Sequence, residues 1–341
     1  MTTTHGAPHD APLGVAAADA HDVALVSAQE QATATLAAMR EQARDYAQHA
    51  KALNTRRAYR ADWADFTAWC RAHGRMPLPA LPETVALYLS ALAGHRKTST
   101  LARRLSAISQ AHQVAGHPSP TKDQSVRAVA AGIRRAKGTA QQGKTAAVTA
   151  DVRLMVDALP ATLMGRRDRA LLLLGFAGAF RRSELVALDV ADVVERPEGL
   201  AVTIRRSKTD QEGAGRTVGI PYGSHYESCP VRALRAWLAA ASITSGPLFQ
   251  AIDRHGNLLP GRLSPQGVAR AVKRAAVAAG LNPTTYAGHS LRAGLATSAA
   301  EAGVSERAIM AQTGHKSLPM VRKYIRGGSL FRENAAAEVG L

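Results

Sequence analysis

The chain has 341 residues, 46% of them hydrophobic, with 43 Lys and Arg against 26 Asp and Glu and a formal net charge of +17. That length predicts two domains, each large enough to bury a core, and a single-sign field this strong favours a polyanionic partner bound in a salt-sensitive way. The two cysteines, Cys70 and Cys229, lie in no paired spacing, which excludes a disulfide framework and a zinc site.

The twelve His residues show no metal-ligand spacing, so no metal is expected. There is no apolar run of ~18 residues and no signal peptide, so a membrane protein is not expected and a cytoplasmic one is.

In chain order, residues 1–27 are rich in Ala, Thr, His and Gly without an apolar stripe, and a disordered tail is predicted. Residues 28–137 read as a helical domain. Asn54 or Thr55 is the expected cap of a helix burying Tyr59, Trp63, Phe66 and Cys70, with Gly74 as its stop. Pro82 and Glu83 open a second helix, through Leu92. Thr98 or Ser99 caps a third, burying Leu101, Leu105 and Ile108. A fourth buries Val126, Val129, Ala130 and Ile133. Nine Lys or Arg stand against one acid, Asp123, between Arg96 and Lys137. Such a run is commonly just a solvated face. Here the charges recur off the apolar stripes, which nominates Arg56, Arg57, Arg60, Arg103, Arg104, Arg127 and Arg134 as phosphate contacts.

Residues 138–146 are small and polar and read as a flexible linker. At roughly 3.3 Å per residue it reaches about 30 Å, enough to pass around a duplex. The second domain, 147–341, opens with a helix capped by Thr149 and carrying Val152, Met155, Val156 and Leu159. A buried helix follows over Ala170 to Phe180. The period then changes: strands are expected over Asp192 to Glu195, Leu200 to Arg205 and Arg216 to Ile220, with Lys208 at the tip of the Ser207 to Gly215 turn. Helices resume at Pro230, Ser264, His289 and Ser305. A short amphipathic piece with Leu330, Phe331 and Val339 ends the chain. The fold class is therefore mainly α, with a small antiparallel sheet in the C-terminal domain.

The chemistry-bearing residues concentrate near the end. His289 and Arg292 are one helical turn apart. His315 follows, then Tyr324. Together they supply two imidazoles, a guanidinium and a phenol, the groups a metal-free phosphoryl transfer needs. Each alone has an ordinary reading: a capping pair, a Gly-terminated helix end, a ring in a core. Upstream stands Phe180-Arg181-Arg182-Ser183-Glu184-Leu185.

This ordered set, Arg181 with Ser183-Glu184-Leu185, then Lys208 in a hairpin, His289-x-x-Arg292, Gly314-His315 and Tyr324, resembles the tyrosine recombinase (phage integrase) family across nearly the whole chain. The resemblance implies a two-domain architecture, a helical core-binding domain plus a mixed α/β catalytic domain, acting on double-stranded DNA at inverted-repeat half-sites as a homotetramer. It implies no cofactor. Tyr324 would attack a DNA phosphate and leave a 3′-phosphotyrosine and a free 5′ hydroxyl. Arg181 and Arg292 would hold the phosphate oxygens, and Lys208 would be the general acid. His289 would be a proton acceptor or phosphate ligand, and His315 a donor to the phosphate. Glu184 would orient a neighbouring cation or imidazole, with a plain helix-end carboxylate as its alternative. A site-specific recombinase is the expected function. A transposase or integrase with looser target choice shares every box. A type IB topoisomerase has Lys three residues before the second Arg, where this chain has His289. A silent DNA-binding protein is the remaining reading.

Overall fold

The computed structural model describes residues 1–2, 31, 33–46, 52–140, 143–208, 210 and 212–328. Apart from residues 1–2, the expected tail lies outside them, as does the C-terminal piece carrying Leu330, Phe331 and Val339. The chain divides into two compact units, Met1–Gln141 and Gln142–Leu341.

In the first unit, residues 33–46 are helical with exposed side chains. Four further helices, α1 (Leu53–Ala72), α2 (Pro82–Ala93), α3 (Thr98–Val114) and α4 (Gln124–Lys137), bury Phe66, Cys70, Val85, Tyr88, Leu89, Leu101, Ile108 and Val126. The apolar spacing of 3 and 4 puts those residues on inward faces. Two expected caps fail. Asn54 and Thr55 lie inside α1, and Thr98 is the first helical residue of α3, neither helix having a side-chain cap. Asp123 does cap α4, accepting from the Ser125 N–H at 2.8 Å.

Arg103 and Arg104 are both paired with carboxylates of α1, and of the two only Arg104 departs from the expected surface position. Arg104 is only 6% exposed. Its guanidinium donates to Asp65 and to the Tyr88 hydroxyl. Arg103 forms a two-point pair with buried Asp62 at 2.7 and 3.0 Å. A buried guanidinium must be paired, and α1 supplies the carboxylates from far upstream. Arg104 is therefore a core residue rather than a surface phosphate contact. Arg57, Arg60, Arg103, Arg127 and Arg134 are exposed, and Arg56 is half-buried.

The second unit begins before its first helix. Lys144 Nζ donates to the Thr284 carbonyl at 2.5 Å, Thr145 N–H to Thr285 at 3.0 Å, and Ala147 N–H to Ser290 at 2.9 Å. The end of the expected linker is thus pinned. Gly294 permits this: a Cβ there would lie 1.7 Å from the Ala147 carbonyl oxygen. The helices are α5 (Thr149–Asp157), α6 (Leu163–Ala177), α7 (Arg182–Ala187), α8 (Pro230–Ala241), α9 (Pro265–Ala278), α10 (Ser290–Glu301), α11 (Glu306–Thr313) and α12 (Leu318–Gly328). Strands β1 (Val193–Arg196), β2 (Gly199–Ile204) and β3 (Arg216–Pro221) form an antiparallel sheet in that order. The register pairs Leu200 with Ile220 and Val202 with Val218, so the alternating apolar residues share one buried face. The sheet covers a core containing Met155, Leu171, Leu172, Leu174, Trp237, Phe249 and Val272.

A second hairpin, β4 (Gln250–Ile252) with β5 (Leu258–Arg262), was not expected from sequence. Its strands are short and one contains Pro-Gly, so neither shows a period of two. The turn holds it: the Asp253 carboxylate accepts from the His255 and Asn257 N–H groups at 2.8 and 2.9 Å. Among the described residues no helix is long and apolar enough to cross a membrane.

Candidate active site

Helix α6 delivers the first box. After α6 the backbone turns through Ala179, a non-glycine residue at φ 48°. That conformation costs on the order of 1 kcal/mol. It aims the Ala179 carbonyl at Arg292, whose Nη1 donates to it at 2.7 Å. Phe180 is buried, and Arg181 follows as the residue preceding α7. Glu184, one turn on, accepts from the Arg181 backbone N–H at 2.9 Å and from its guanidinium at 2.5 Å. One carboxylate therefore closes the helix start and holds the cation.

The second box sits at the start of α10. His289 is the residue preceding that helix, and Arg292 lies one turn in, 1% exposed. Burial first, then the Arg181 cation, pulls the Arg292 pKa down to about 10, opposed by Glu184. It remains a cation at neutral pH. Its Nη2 meets His315 Nε2 at 3.1 Å. His315 in turn meets Thr313 Oγ1 at 2.8 Å through Nδ1. Helix α11 ends at Gly314, φ 66°, which swings His315 back under that helix. Burial, then Arg292, Arg181, His289 and Arg216, lowers the His315 pKa to about 4.

Tyr324 comes from α12. Its hydroxyl lies 2.7 Å from His289 Nε2, and its ring stacks on His315 at 5.6 Å between centroids and 28° between planes. His289 is crowded by protein atoms while one edge stays open to solvent. That desolvation, then Arg292, Arg181, Arg182 and Lys208, pulls its pKa below the usual imidazole value. A neutral imidazole is thus available beside the phenol at neutral pH. Arg292, His315, His289 and Tyr324 form one contiguous set.

Lys208 sits in a turn closed by paired backbone bonds between Ser207 and Asp210 at 3.1 and 3.2 Å. The Asp210 carboxylate accepts from the Gly213, Ala214 and Gly215 N–H groups and so shapes the tip. The Lys208 charge is felt at His289. The basic residues nominated for phosphate contact, Arg56, Arg57, Arg60, Arg127 and Arg134 among them, lie in the other unit. Among the described residues no group of three His, Cys, Asp or Glu side chains could hold a metal ion.

Three residues at the site were given no role from the sequence. Arg216, the first residue of β3, donates to the Gln312 carbonyl at 3.2 Å and lies 3.9 Å from Glu184. It crosses the Gly314 backbone so closely that a Cβ there would sit 2.7 Å from its Nε. Gln312 Nε2 donates to the Ala177 carbonyl at 2.7 Å and to Gly219 at 3.1 Å, tying α11 to the end of α6 and to β3. Thr313 reaches His315. A cation opening an otherwise apolar strand was the available signal for Arg216. Thr313 stood beside His315 in the Thr-Gly-His box, and for Gln312 there was no signal, because its partners are distant in sequence.

Comparison with known proteins places these features in context. The model of the phage integrase family matches residues 149–328. The chain is 46% identical over 289 residues, 84% of its length and 85% of the relative's, to the integrase/recombinase xerD homolog of Selenomonas ruminantium. It is 27% identical over 286 residues, 77% of this chain and 80% of the other, to recombinase cre of Escherichia phage P1. In fold it is similar to the XerH site-specific recombinase bound to palindromic difH substrate, with a TM-score of 0.56 at 18% identity, covering 75% of this chain and 72% of that one.

Proposed function

The chain belongs to the phage integrase family of tyrosine recombinases, enzymes that break and rejoin DNA at specific sites, and on that premise we propose how its residues divide the reaction. Tyr324 Oη attacks a phosphorus of double-stranded DNA. The phenol, with an ordinary pKa of about 10, gives its proton to His289 Nε2. The P–O5′ bond breaks, the tyrosine keeps the 3′ phosphoryl group, and the departing O5′ takes a proton from Lys208. Arg181 and Arg292 neutralise the non-bridging oxygens as charge builds on them. Glu184 fixes the Arg181 guanidinium.

The phosphotyrosyl bond conserves the energy of the broken phosphodiester. A 5′ hydroxyl from a second duplex reverses the same steps and completes strand exchange. Two duplexes with two cleavage sites each call for four protomers on paired inverted half-sites, working in the cytoplasm. Four exposed arginines of the helical unit, Arg57, Arg60, Arg127 and Arg134, would grip phosphates, with Arg56 at their edge.

The observation that carries this reading is the 2.7 Å approach of the Tyr324 hydroxyl to a neutral imidazole inside a cationic surround. Tyr324→Phe should bind its DNA site with unchanged affinity and give no protein–DNA adduct on a denaturing gel. An adduct formed by that variant, mapped to another tyrosine, would remove the assignment.

A further inference from the structure

Resting on the role given above to His289 and Tyr324, we infer that Arg182 is a further DNA contact: its guanidinium holds a phosphate next to the one that is cleaved, on the same strand.

Arg182 follows Arg181 directly, and the fold treats the two differently. Arg181 is tied through its side chain to the Glu184 carboxylate. Arg216 is bonded to the Gln312 carbonyl, and Arg292 to the Ala179 carbonyl and His315. Arg182 is exposed, and among the described residues its guanidinium has no carboxylate, carbonyl or ring partner. Its stem is nonetheless fixed. A Cβ on Gly288 would fall well inside contact distance of the Arg182 Cγ and Cδ, so the stem lies across a residue that must stay bare. Gly288 is buried there, with Val268 of α9 also close by. The apolar stem covers backbone and the charged head stays in water.

The seat of Arg182 is therefore one residue from His289, the imidazole that meets the Tyr324 hydroxyl. The electrostatics agree with the packing: the lowered His289 pKa comes first from burial, then from Arg292 and Arg181, and Arg182 is next.

Nothing local accounts for a cation at this point. Arg182 is the first residue of α7, and the start of a helix favours an acid. Glu184 is taken by Arg181 and faced by Arg216 at 3.9 Å. Arg182 adds like charge to a site that already holds Arg181, Arg292 and Lys208, which is unfavourable until an anion arrives. A nucleic acid strand carries one charge per about 3.4 Å of axis. With one phosphate at Tyr324 and His289, a neighbouring one falls within reach of the long donor fork beside them. Because the stem is already pinned, the contact gives up little side-chain freedom. It carries no base information. It sets the register of the strand, so that the scissile phosphorus stays opposite Tyr324.

The probe is a duplex enriched from a random-sequence pool by the wild-type chain, with the cleaved phosphate mapped from its adduct. Equilibrium binding is measured in the Tyr324→Phe chain, with and without Arg182→Met, which keeps a stem over Gly288 and removes the charge. Arg182→Met should weaken binding roughly two- to fivefold, the size of one exposed ion pair, and reduce the slope of log affinity against log salt by about one. Arg182→Lys should restore the slope. Two further duplexes carry an uncharged methylphosphonate at the phosphate on one or the other side of the cleaved one. On one of these, the chains with and without Arg182→Met should bind equally, because the partner of Arg182 is gone. Undiminished binding of the intact duplex by Arg182→Met overturns the inference. So does a loss that persists on both neutralised duplexes, which would put the effect in the fold or elsewhere on the DNA. Arg182→Gln takes the place of Arg182→Met if the latter does not fold. The binding comparison needs no covalent step, so failure of the nucleophile assignment shows separately, as an adduct formed by Tyr324→Phe.

Discussion

The cationic side of the site and the tyrosine side rest on cores of very different size. Arg181 and Glu184 follow directly on the helix carrying Leu171, Leu172 and Leu174, in the same cluster as Phe180, Leu185, Trp237 and Phe249. Arg292 is itself buried and gripped at both ends. Tyr324, by contrast, is half-buried on α12, whose apolar support is a small satellite of Ala296, Ala300, Ile309 and Val321. The two guanidinium groups are held by many contacts at once, while the Tyr324 hydroxyl depends on few. Local opening costs least where buried contacts are fewest, so the helix carrying Tyr324 is the cheaper part to displace.

The largest expected effect breaks the rigid side. Arg292→Ala removes a cation and leaves the Ala179 carbonyl and His315 Nε2 without their donor. Single-turnover cleavage should fall about 10³-fold, measured at equal folded fraction; a loss of only a few fold would mean that the cradle is misassigned.

Next come the two cores themselves. Leu172→Ala should cost about 3–4 kcal/mol in denaturant unfolding of the second unit, because the cavity lies in a dense core. Val321→Ala should cost only about 1–2 kcal/mol yet slow cleavage more than its effect on stability accounts for. Equal stability costs for the two variants would erase the contrast.

Acid should weaken the junction between the two sides. The His315 pKa is lowered to about 4 by burial and then by neighbouring cations, against about 6.5 in an unfolded chain. As pH falls, the unfolded state takes up that proton first. The stability contributed by keeping His315 neutral is complete above about pH 6.5 and is lost progressively toward pH 4, on the order of 3 kcal/mol in all. His315→Gln should flatten that part of the urea-melt pH profile, and parallel profiles for variant and wild type would count against it.

The smallest effect separates arginines that differ in partners. Arg127→Ala should reduce the slope of log affinity against log salt by about one. Arg103→Ala should lower stability and leave the slope nearly unchanged, since its guanidinium is already paired with Asp62. The reverse pattern would return Arg103 to the phosphate-contact set.

What the amino-acid order by itself determined were the features with a local period or a fixed local spelling. The helices around Phe66, Leu89 and Ile108, the strand pair over Leu200 and Ile220, and the ordered boxes from Arg181 to Tyr324 could all be read directly, because 3.6- and 2-residue repeats and short motifs are written in adjacent residues. Only the tertiary structure decided which groups answer one another across the chain. Arg104 meets Asp65 from 39 positions away, and Arg292 meets Ala179 from 113. The Lys144–Ala147 segment is held against Gly294 by close backbone approach, and His315 meets Arg292 through one ring nitrogen and Thr313 through the other. Hydrogen bonds and ion pairs act over about 3 Å of space, a distance that separation along a chain does not encode.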